Sequence, residues 1–403
     1  MTELELRMTD WIAKLLRIPD FFLNDHDGPG GGIIQSTASD ATLIAILAAR
    51  GRAIERLKEK EQACRNTELL SPKENRHQSD IGDVILPGFH DPNYFTKLIA
   101  YCSDQAHSSV DKDAMLAGVR LRKLRTHRSG PQDNYVVRAE TLQTAIKVDT
   151  ENGLVPFIFV ATIGTTPTCA VDPIEKLGPI CNDNNIWLHV DSAYAGSFLI
   201  CPEYEYLSKG LEFADSFNTN VHKALQINFD CSPMWFKDAK NAVKYFDVEP
   251  VYLKHEYQSK AVDYRHLQIA LGRRFRSLKI WFVIRNIGVA NLQEHLRKMC
   301  QLAEYFEDLI LKSGIFELFV PRHLGLVCFR MKNSTNVMNE ELNDAVNNDG
   351  RIHIVPSTAH NSYFLRFAIC STKTTREDVA DSCQILEEYA KKIIEKYRKQ
   401  KNS

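Results

Sequence analysis

The sequence predicts an α/β protein with a mostly parallel sheet, and three observations support this fold class. Short apolar runs alternate with stretches of helical period between residues 98 and 191, which is typical of crossover units. With 403 residues and 44% hydrophobic content, the chain can bury a large core. Beyond about residue 275 the pattern changes and indicates a smaller α+β domain. We therefore expect a large domain over 1–280 and a small domain over 281–403.

The N-terminal part of the large domain shows two helical patterns and one long irregular stretch. Apolar residues from Leu4 to Leu15 repeat with helical spacing and predict an amphipathic helix that ends before Pro19. A turn-rich segment at 24–32 then leads into a long helix from about residue 38. Residues 72–96 mix Pro, Asp, Asn and Gly without period, so we expect an inserted surface loop there.

Apolar runs and helical periods place the remaining elements in both domains. In the large domain we expect helices near 108, 139–149 and 174–182, and strands at 98–103, 119–124, 156–162 and 186–191. A long helical pattern over 275–314 is interrupted at Gly288. In the small domain we expect strands near 324–331 and 363–369, and helices near 336–348 and 374–396.

Composition narrows the class of partner and the compartment. Fifty basic and fifty-one acidic residues give a net charge of −1, so nothing favours nucleic acid or an anionic membrane as a partner. The N-terminus lacks the pattern of a signal peptide, and the longest apolar run, LIAILAA at 43–49, is too short to span a bilayer. Ten scattered cysteines without a C-x-x-C pair favour reduced thiols, no metal site and a cytoplasmic protein.

Polar residues that follow the predicted strands form a candidate ligand site. In open parallel sheets, ligands bind beyond the carboxyl ends of the strands. Several chemically active residue types follow or end strands in this chain, which together predict a cofactor site. These residues are His107, Thr165, Thr166, His189, Asp191, Ser216, Asn218, Asn220, His222 and Lys223.

Lys223 and Asp191 are the most informative pair in this set. The amine of Lys223 can form an imine with an aldehyde if its surroundings favour the neutral form, although most lysines are surface charges. Asp191 ends a buried strand, where a carboxylate needs either a cation, such as a protonated pyridine nitrogen, or several hydrogen-bond donors; a turn-capping aspartate is the alternative. The Gly30–Gly32 run and the hydroxyls near residue 37 could bind a phosphate at a helix start, or merely cap that helix.

Several motifs resemble the group II decarboxylases that depend on pyridoxal 5′-phosphate (PLP), nearest to the animal aromatic L-amino acid (DOPA) decarboxylases. The match is spread over nearly the whole chain. It rests mainly on GGGIIQSTASDATL (30–43), YCSDQAHSSV (101–110), VATIGTT (160–166), WLHVDSAYAGS (187–197), FADSFNTNVHK (213–223) and LRFAICS (365–371). The resemblance implies the fold type I, aspartate aminotransferase-like architecture, with a mostly parallel seven-stranded sheet in the large domain.

The resemblance also implies roles for individual residues of this chain. Lys223 resembles the imine-forming lysine, Asp191 the carboxylate that faces the ring nitrogen, and His107 the imidazole that stacks on the ring. Tyr252 matches a tyrosine of a loop near the subunit boundary that delivers a proton after carbon dioxide leaves, and Gly272 matches a glycine that makes room for a large aromatic substrate. Residues implied to surround the phosphate and the ring are Thr37, Ala38, Ser39, Thr166, Ala193, Ser216, Asn220 and His222.

The chain departs from the family pattern in three places. It begins after the helical N-terminal segment that family members exchange across their dimer. The sequence NVHKAL at 220–225 stands where the family has N-P-H-K-W, so Val221 and Ala224 replace a proline and a tryptophan. Ser192 replaces an alanine after the aspartate. None of these changes removes a group that PLP chemistry requires, but misplacement by about 1 Å can lower a rate on the order of a hundredfold.

The resemblance therefore implies decarboxylation of DOPA, 5-hydroxytryptophan or tyrosine, within catecholamine or serotonin synthesis, by a cytoplasmic homodimer. His107 and Tyr252 favour this reaction over that of the related aldehyde synthases, which remain an alternative together with transaminases. Another alternative is a weak or inactive paralogue that keeps PLP and pairs with a full-length relative. An incomplete gene model is a third explanation for the start of the chain.

Overall fold

The structure is a computed structural model that describes residues 1–67, 88–246 and 264–402. Within these ranges, every helix is too short or too polar to cross a lipid bilayer. All ten cysteines are free thiols, and only Cys64 and Cys370 are exposed.

A seven-stranded sheet forms the centre of the molecule. Its order is β1-β9-β8-β7-β6-β2-β3, and β9 alone runs antiparallel to its neighbours. The strands that contribute are β1 (Gly31–Gln35), β2 (Leu98–Ser103), β3 (Arg120–Leu124), β6 (Val155–Thr162), β7 (Trp187–Asp191), β8 (Ser216–Asn218) and β9 (Ser232–Phe236). The four neighbours β8, β7, β6 and β2 are parallel, so their carboxyl ends meet at one edge.

Helices pack on both faces of this sheet because its central strands are apolar on both sides. On β6, for example, Phe159 belongs to one hydrophobic core, while Ile158 and Val160 belong to the other. The helices of this part of the chain are α1 (Thr2–Leu16), α2 (Ala38–Thr67), α3 (Ser109–Leu116), α4 (Ala139–Glu151), α5 (Ile174–Asp183), α6 (Val221–Ala224) and α7 (Ala239–Val243). A separate hairpin consists of β4 (His127–Ser129) and β5 (Asn134–Val136).

A buried ion pair holds the first helix against the sheet. Glu5 of α1 is fully buried, and its Oε1 accepts the backbone N–H of Ile34 in β1 at 2.9 Å. The same oxygen lies 2.5 Å from Arg273, whose guanidinium stacks over the ring of Tyr264 at 4.6 Å. The ion pair therefore joins α1, β1 and the segment that follows residue 264.

The C-terminal part contains a four-stranded antiparallel sheet of order β10-β11-β13-β12. These strands are β10 (Phe316–Leu318), β11 (Leu326–Met331), β12 (Val355–Ala359) and β13 (Ser362–Ala368). The accompanying helices are α8 (Arg276–Ile287), α9 (Val289–Lys312), α10 (Asn336–Asp349) and α11 (Arg376–Asn402). Gly288 separates α8 from α9 with a φ of +81°, which breaks the helical pattern.

The structure confirms the α/β class and the mostly parallel seven-stranded sheet, and it corrects one local interpretation. Gly31 and Gly32 belong to strand β1 rather than to a phosphate-binding loop. A Cβ at Gly32 would lie 2.6 Å from the ring of Trp235, so the glycine allows close packing of β1. Of the expected loop at 72–96, residues 72–87 lie outside the described residues, and most of the rest forms 3₁₀ turns at Gly88–His90 and Pro92–Lys97.

Candidate active site

The carboxyl edge of the large sheet opens into a cavity of about 200 Å³. Strands β6 and β7, the starts of α2 and α3, and the segment after β8 contribute its walls. The residues that line it are Thr37, Ala38, Ser39, His107, Ser109, Thr162, Gly164, Thr166, Asp191, Ala193, Tyr194, Asn220, His222, Lys223 and Phe229.

Asp191 and Lys223 are a coupled pair of titratable groups in this cavity. Asp191 ends β7 and is 5% exposed. Burial raises the pKa of its carboxyl group, while Lys223, the N–H of Ala193 and His107 act in the opposite direction. Burial lowers the pKa of the Lys223 amine, an effect that Asp191 opposes and Arg366 strengthens. A lowered pKa increases the neutral fraction of the amine, which is the nucleophilic form.

Two histidines line the cavity in orientations that backbone groups fix. Nδ1 of His107 accepts the backbone N–H of Ser109 at 3.2 Å and lies 2.9 Å from the hydroxyl of the same residue. Nδ1 of His222 lies 2.9 Å from the backbone nitrogen and 2.8 Å from the carbonyl oxygen of Cys231. Burial lowers the pKa of His222, so this ring favours its neutral form near pH 7.

The start of α2 forms one end of the cavity. Thr37 and Asp40 cap the helix mutually, because the backbone N–H of Asp40 donates to the Thr37 hydroxyl and Thr37 donates to the Asp40 carboxylate. The first N–H groups of a helix have no partner within the helix, and they carry a positive partial charge. Ala38 and Ser39 lie at this position and line the cavity, which is the arrangement that binds phosphate groups.

Unpaired polar atoms at the cavity wall indicate that it receives a polar ligand. The hydroxyl oxygen of Thr162 and the side-chain oxygen of Asn220 are buried without a hydrogen-bond partner, and both residues line the cavity. Buried polar groups are rarely left unpaired. Together with the amine, the carboxylate and the helix start, these atoms fit a ligand that has an anionic group and a polar ring.

The structure brings together most of the residues that the sequence predicts for the site, but not all of them. Ser216 lies within the sheet, where its hydroxyl contacts Trp187 and His189 at 2.8 Å each, and it does not reach the cavity. Gly272 is exposed, and a Cβ there would meet nothing within 4 Å. Tyr252 lies outside the described residues.

The cavity also contains residues that sequence reasoning did not select. Thr162 could have been found by the strand-end rule, because it is the last residue of β6. Gly164 has a φ of +85°, and a Cβ there would lie 2.6 Å from that of Ala195, so the position requires glycine. Phe229 is 73% exposed at the cavity wall, and no periodic pattern marks it in the sequence.

Comparison with known proteins shows the family to which the chain belongs. The model of the pyridoxal-dependent decarboxylase conserved domain matches residues 1–80 and 87–332. The chain belongs to this family. An aromatic-L-amino-acid decarboxylase of Manduca sexta is 48% identical over 378 residues, which cover 94% of this chain and 68% of that protein. The residues that the family model passes over, 81–86, fall within the stretch expected to be an insertion.

Solved structures show the same fold. The Oryza sativa protein TDC, crystallised with PLP and tryptamine, has a TM-score of 0.85 and 31% identity, and the match covers 97% of this chain and 76% of that one. The Rhodiola rosea 4-hydroxyphenylacetaldehyde synthase has a TM-score of 0.81 and 33% identity over 97% and 75% of the two chains. PLP is therefore the cofactor of this chain, and the cavity offers the reactive amine, carboxylate and helix start that it requires.

A second buried carboxyl group lies near the cavity. Asp113 of α3 is 3% exposed, and its Oδ2 has no hydrogen-bond partner. Burial, together with the charges of Asp40 and Asp191, raises the pKa of Asp113 to about 7. Above this pH the folded chain holds an unpaired buried charge, which destabilises it.

We expect Asp113→Asn to stabilise the fold in a pH-dependent way. Below about pH 4 the carboxyl is protonated in folded and unfolded chains, so the variant should match the wild type. As the pH rises, the unfolded chain releases this proton first, and the wild type should lose stability until about pH 7. Urea unfolding at pH 8 should show a gain of up to about 4 kcal/mol for the variant.

The matched control for this experiment is Asp111→Asn in the same helix. Asp111 is partly exposed and pairs with Lys123 at 2.8 Å, so its replacement should change stability by less than about 1 kcal/mol. An Asp113→Asn gain that is the same at pH 4 and pH 8 would contradict the titration of this carboxyl group.

Proposed function

We propose that this chain is a PLP-dependent carboxy-lyase that decarboxylates an aromatic L-amino acid such as DOPA, 5-hydroxytryptophan or tyrosine. The observation that carries the proposal is the convergence of Lys223, Asp191 and His107 on one cavity at the carboxyl edge of the sheet. The aromatic-L-amino-acid decarboxylases of insects and mammals are 43% to 48% identical to this chain. The substrate class follows from these relatives and from the aromatic cavity wall at Phe229.

We assign each residue of the cavity a role from its position. Lys223 supplies the amine that would hold the cofactor, while Thr37, Ala38, Ser39, Asn220 and His222 would surround its phosphate. PLP, when bound, accepts the electron pair that remains when the bond between Cα and the carboxylate breaks. Asp191 would keep the proton on the ring nitrogen, because a buried carboxylate strongly favours a neighbouring cation. His107, Thr166 and Ala193 would hold the ring between them and exclude water from its faces.

Two further residues complete the proposal. Tyr252 would return a proton to Cα after carbon dioxide leaves, and Gly272 would leave space for a large aromatic group. Gly272 is exposed, so it would meet the substrate only where another surface closes over it. This requirement connects substrate binding to the association of two chains.

We expect the purified 403-residue chain with added PLP to release one carbon dioxide for each amine formed. Lys223→Ala should abolish turnover, because no other lysine among the described residues lines the cavity. Lys209→Ala, which changes an exposed lysine that does not line the cavity, is the control. The measurement pairs carbon dioxide release with amine detection for each of the three candidate substrates.

The products distinguish the alternatives. Aldehyde and hydrogen peroxide in place of amine would identify an aldehyde synthase instead, and keto acid would identify a transaminase. A chain that binds PLP but turns over none of the three amino acids would contradict the proposed activity. Activity that returns only with a full-length relative would favour the heterodimer over the homodimer.

We also propose that two copies of the chain associate beside the cavity. Phe229 lines the cavity and is exposed, and four further large apolar side chains are exposed in the segment 269–282, namely Ile269, Leu271, Phe275 and Phe282. Arg276 holds the segment that carries four of them close to Phe229, because its guanidinium bonds Asp230 at 2.8 Å. An exposed apolar patch of this kind is typical of a subunit interface.

We expect sedimentation to show a dimer, and Phe282→Glu to shift it toward the monomer. A charge buried in an apolar interface without a partner is strongly unfavourable. Phe282 is 55% exposed in α8. Val337→Glu, at a 59% exposed position of α10 in the small domain, is the matched control and should leave the dimer intact. Equal effects of the two substitutions would contradict this interface.

The finer assignments are proposals of the same kind. A role in catecholamine or serotonin synthesis follows from the proposed substrates, and a cytoplasmic location from ten free cysteines, which suit a reducing compartment. A division of the chain into domains 1–280 and 281–403 is supported by the separation of the two larger sheets, whose strands lie within 31–236 and 316–368.

A further inference from the structure

The loop that follows strand β6 carries two residues of the cofactor cavity. Residues 163–171 form this loop, which we call the Thr166 loop, and its Gly164 and Thr166 line the cavity. The backbone N–H of Gly164 donates to the carbonyl oxygen of Ala170 at 2.8 Å, and a β-bridge joins the first residue of the loop to the last. Thr166 is exposed within this closed loop, so its position depends on how the rest of the loop is held.

A buried carboxylate fixes the base of the Thr166 loop. The side chain of Asp172 accepts the backbone N–H of Thr162 at 2.9 Å and that of Val137 at 3.1 Å. Thr162 is the last residue of β6, so the loop starts from a fixed point of the large sheet. These contacts hold the base from within the N-terminal half of the chain.

The tip of the loop is held by side chains from other parts of the chain. Three consecutive backbone carbonyl groups, those of residues 167–169, each accept one side-chain hydrogen bond. The donors are Sγ of Cys328 to Pro167 at 3.3 Å, Nδ2 of Asn134 to Thr168 at 2.8 Å and Nδ1 of His323 to Cys169 at 2.7 Å. Cys328 belongs to β11 and His323 precedes that strand. The four-stranded sheet therefore holds a loop of the seven-stranded sheet.

His323 is held in one tautomer and one orientation. A carbonyl oxygen can only accept, so Nδ1 of His323 has the proton that Cys169 receives. The hydroxyl of Tyr206 lies 2.8 Å from Nε2 of the same ring. Burial lowers the pKa of His323, so the ring is neutral near pH 7 and Nε2 accepts the Tyr206 proton. A thiol is a weak donor, so His323 is the stronger of the two contacts from the C-terminal part of the chain.

The bond from His323 acts on the least favourable backbone position of the loop. Cys169 has a φ of +56°, a left-handed conformation that residues with a Cβ rarely adopt. Such a conformation persists only where surrounding contacts fix it. The N–H of Cys169 donates to the carbonyl of Thr165 at 2.7 Å, and His323 holds its carbonyl oxygen. Without the second bond the tip can relax, and Thr166 moves with it.

We propose that His323, itself oriented by Tyr206, is a positioning residue that holds the Thr166 loop and thereby keeps Thr166 against the cofactor ring. Neither His323 nor Tyr206 lines the cavity, so both act through the loop. The inference rests on the proposed function, in which Thr166 helps to hold the PLP ring. It gives the C-terminal sheet a part in placing the cofactor.

The test compares the PLP-loaded chain with variants of His323. Circular dichroism in the visible absorption band of the bound cofactor reports how its ring is held, independently of turnover. We expect His323→Leu, which removes the donor, to weaken this signal and to lower kcat about tenfold, since one hydrogen bond has about this effect, with little change in KM. His323→Asn keeps an amide donor in the place of Nδ1 and should restore both quantities.

A matched control and a milder variant separate positioning from general packing. His295 in α9 is 8% exposed, as compared with 7% for His323, so His295→Leu makes the same change at another buried site. It should alter neither the dichroism nor kcat, and equal effects of the two leucine variants would overturn the positioning role. Tyr206→Phe removes a single oxygen atom and should show a smaller change of the same kind, which keeps the test informative if His323→Leu does not fold.

A double-variant experiment tests whether His323 acts through Thr166. If it does, His323→Leu should lower kcat less in a Thr166→Ala background than in the wild type, because coupled residues are not additive. The same loss in both backgrounds would overturn this route.

The dichroism also separates failure of the inference from failure of the proposed function. If the wild type releases the amine while His323→Leu is folded, PLP-loaded and unchanged in dichroism and kcat, the positioning role is overturned and the proposed function stands. If the wild type binds PLP but turns over no aromatic amino acid, the proposed function fails. A dichroic signal that weakens in His323→Leu and returns in His323→Asn would then still support the positioning role.

Discussion

The site depends on an acidic side chain that is buried at the end of a central strand. Asp191 is 5% exposed, and an unpaired carboxylate in such a place would be strongly destabilising. The backbone N–H of Ala193 donates to its carboxylate at 3.0 Å, and the charge of Lys223 also favours the ionised form. Each of these partners comes from a segment at the carboxyl edge of the sheet. The order of the strands therefore determines which groups stabilise the Asp191 carboxylate in the cavity.

The rest of the large domain holds these segments in register. Strands β6, β7 and β8 pair in parallel, so Thr162, Asp191 and Asn218 form one row. Strand β9 returns antiparallel beside β8 and pairs with β1, and β1 leads directly to the start of α2. The buried pair of Glu5 and Arg273 fixes α1 against β1. Through this connection the helix start that faces the cavity acquires a defined position.

The sequence predicted the strands that have strong apolar runs and the residues that follow them. Strand β2 is found at its expected bounds, and β6 and β7 within one residue of theirs, because these strands are buried on both faces and end in polar residues. Strand β1 was not predicted. Its Gly31 and Gly32 suggest a turn, whereas the packing of Trp235 against Gly32 depends on a strand more than 200 residues away. A pattern of neighbouring residues in the sequence therefore gives no sign of that contact.

The same distinction applies to the site. Lys223, Asp191 and His107 could be selected because strand ends and family motifs both point to them, and all three line the cavity. The motif predicts that Ser216 lies near the phosphate. In the structure its hydroxyl instead contacts His189 on the neighbouring strand, because side chains alternate between the two faces of β8. Its contact with His189 depends on the register of two strands. Such a register becomes visible only in three dimensions.

The most direct measurement of the central claim is the chemical identity of the lysine that holds the cofactor. Treatment of the PLP-loaded chain with borohydride converts a carbon–nitrogen double bond between cofactor and lysine into a stable single bond, and peptide mass spectrometry then locates it. We expect the label on Lys223. A label on a different lysine, or none in the wild-type chain, would contradict the account.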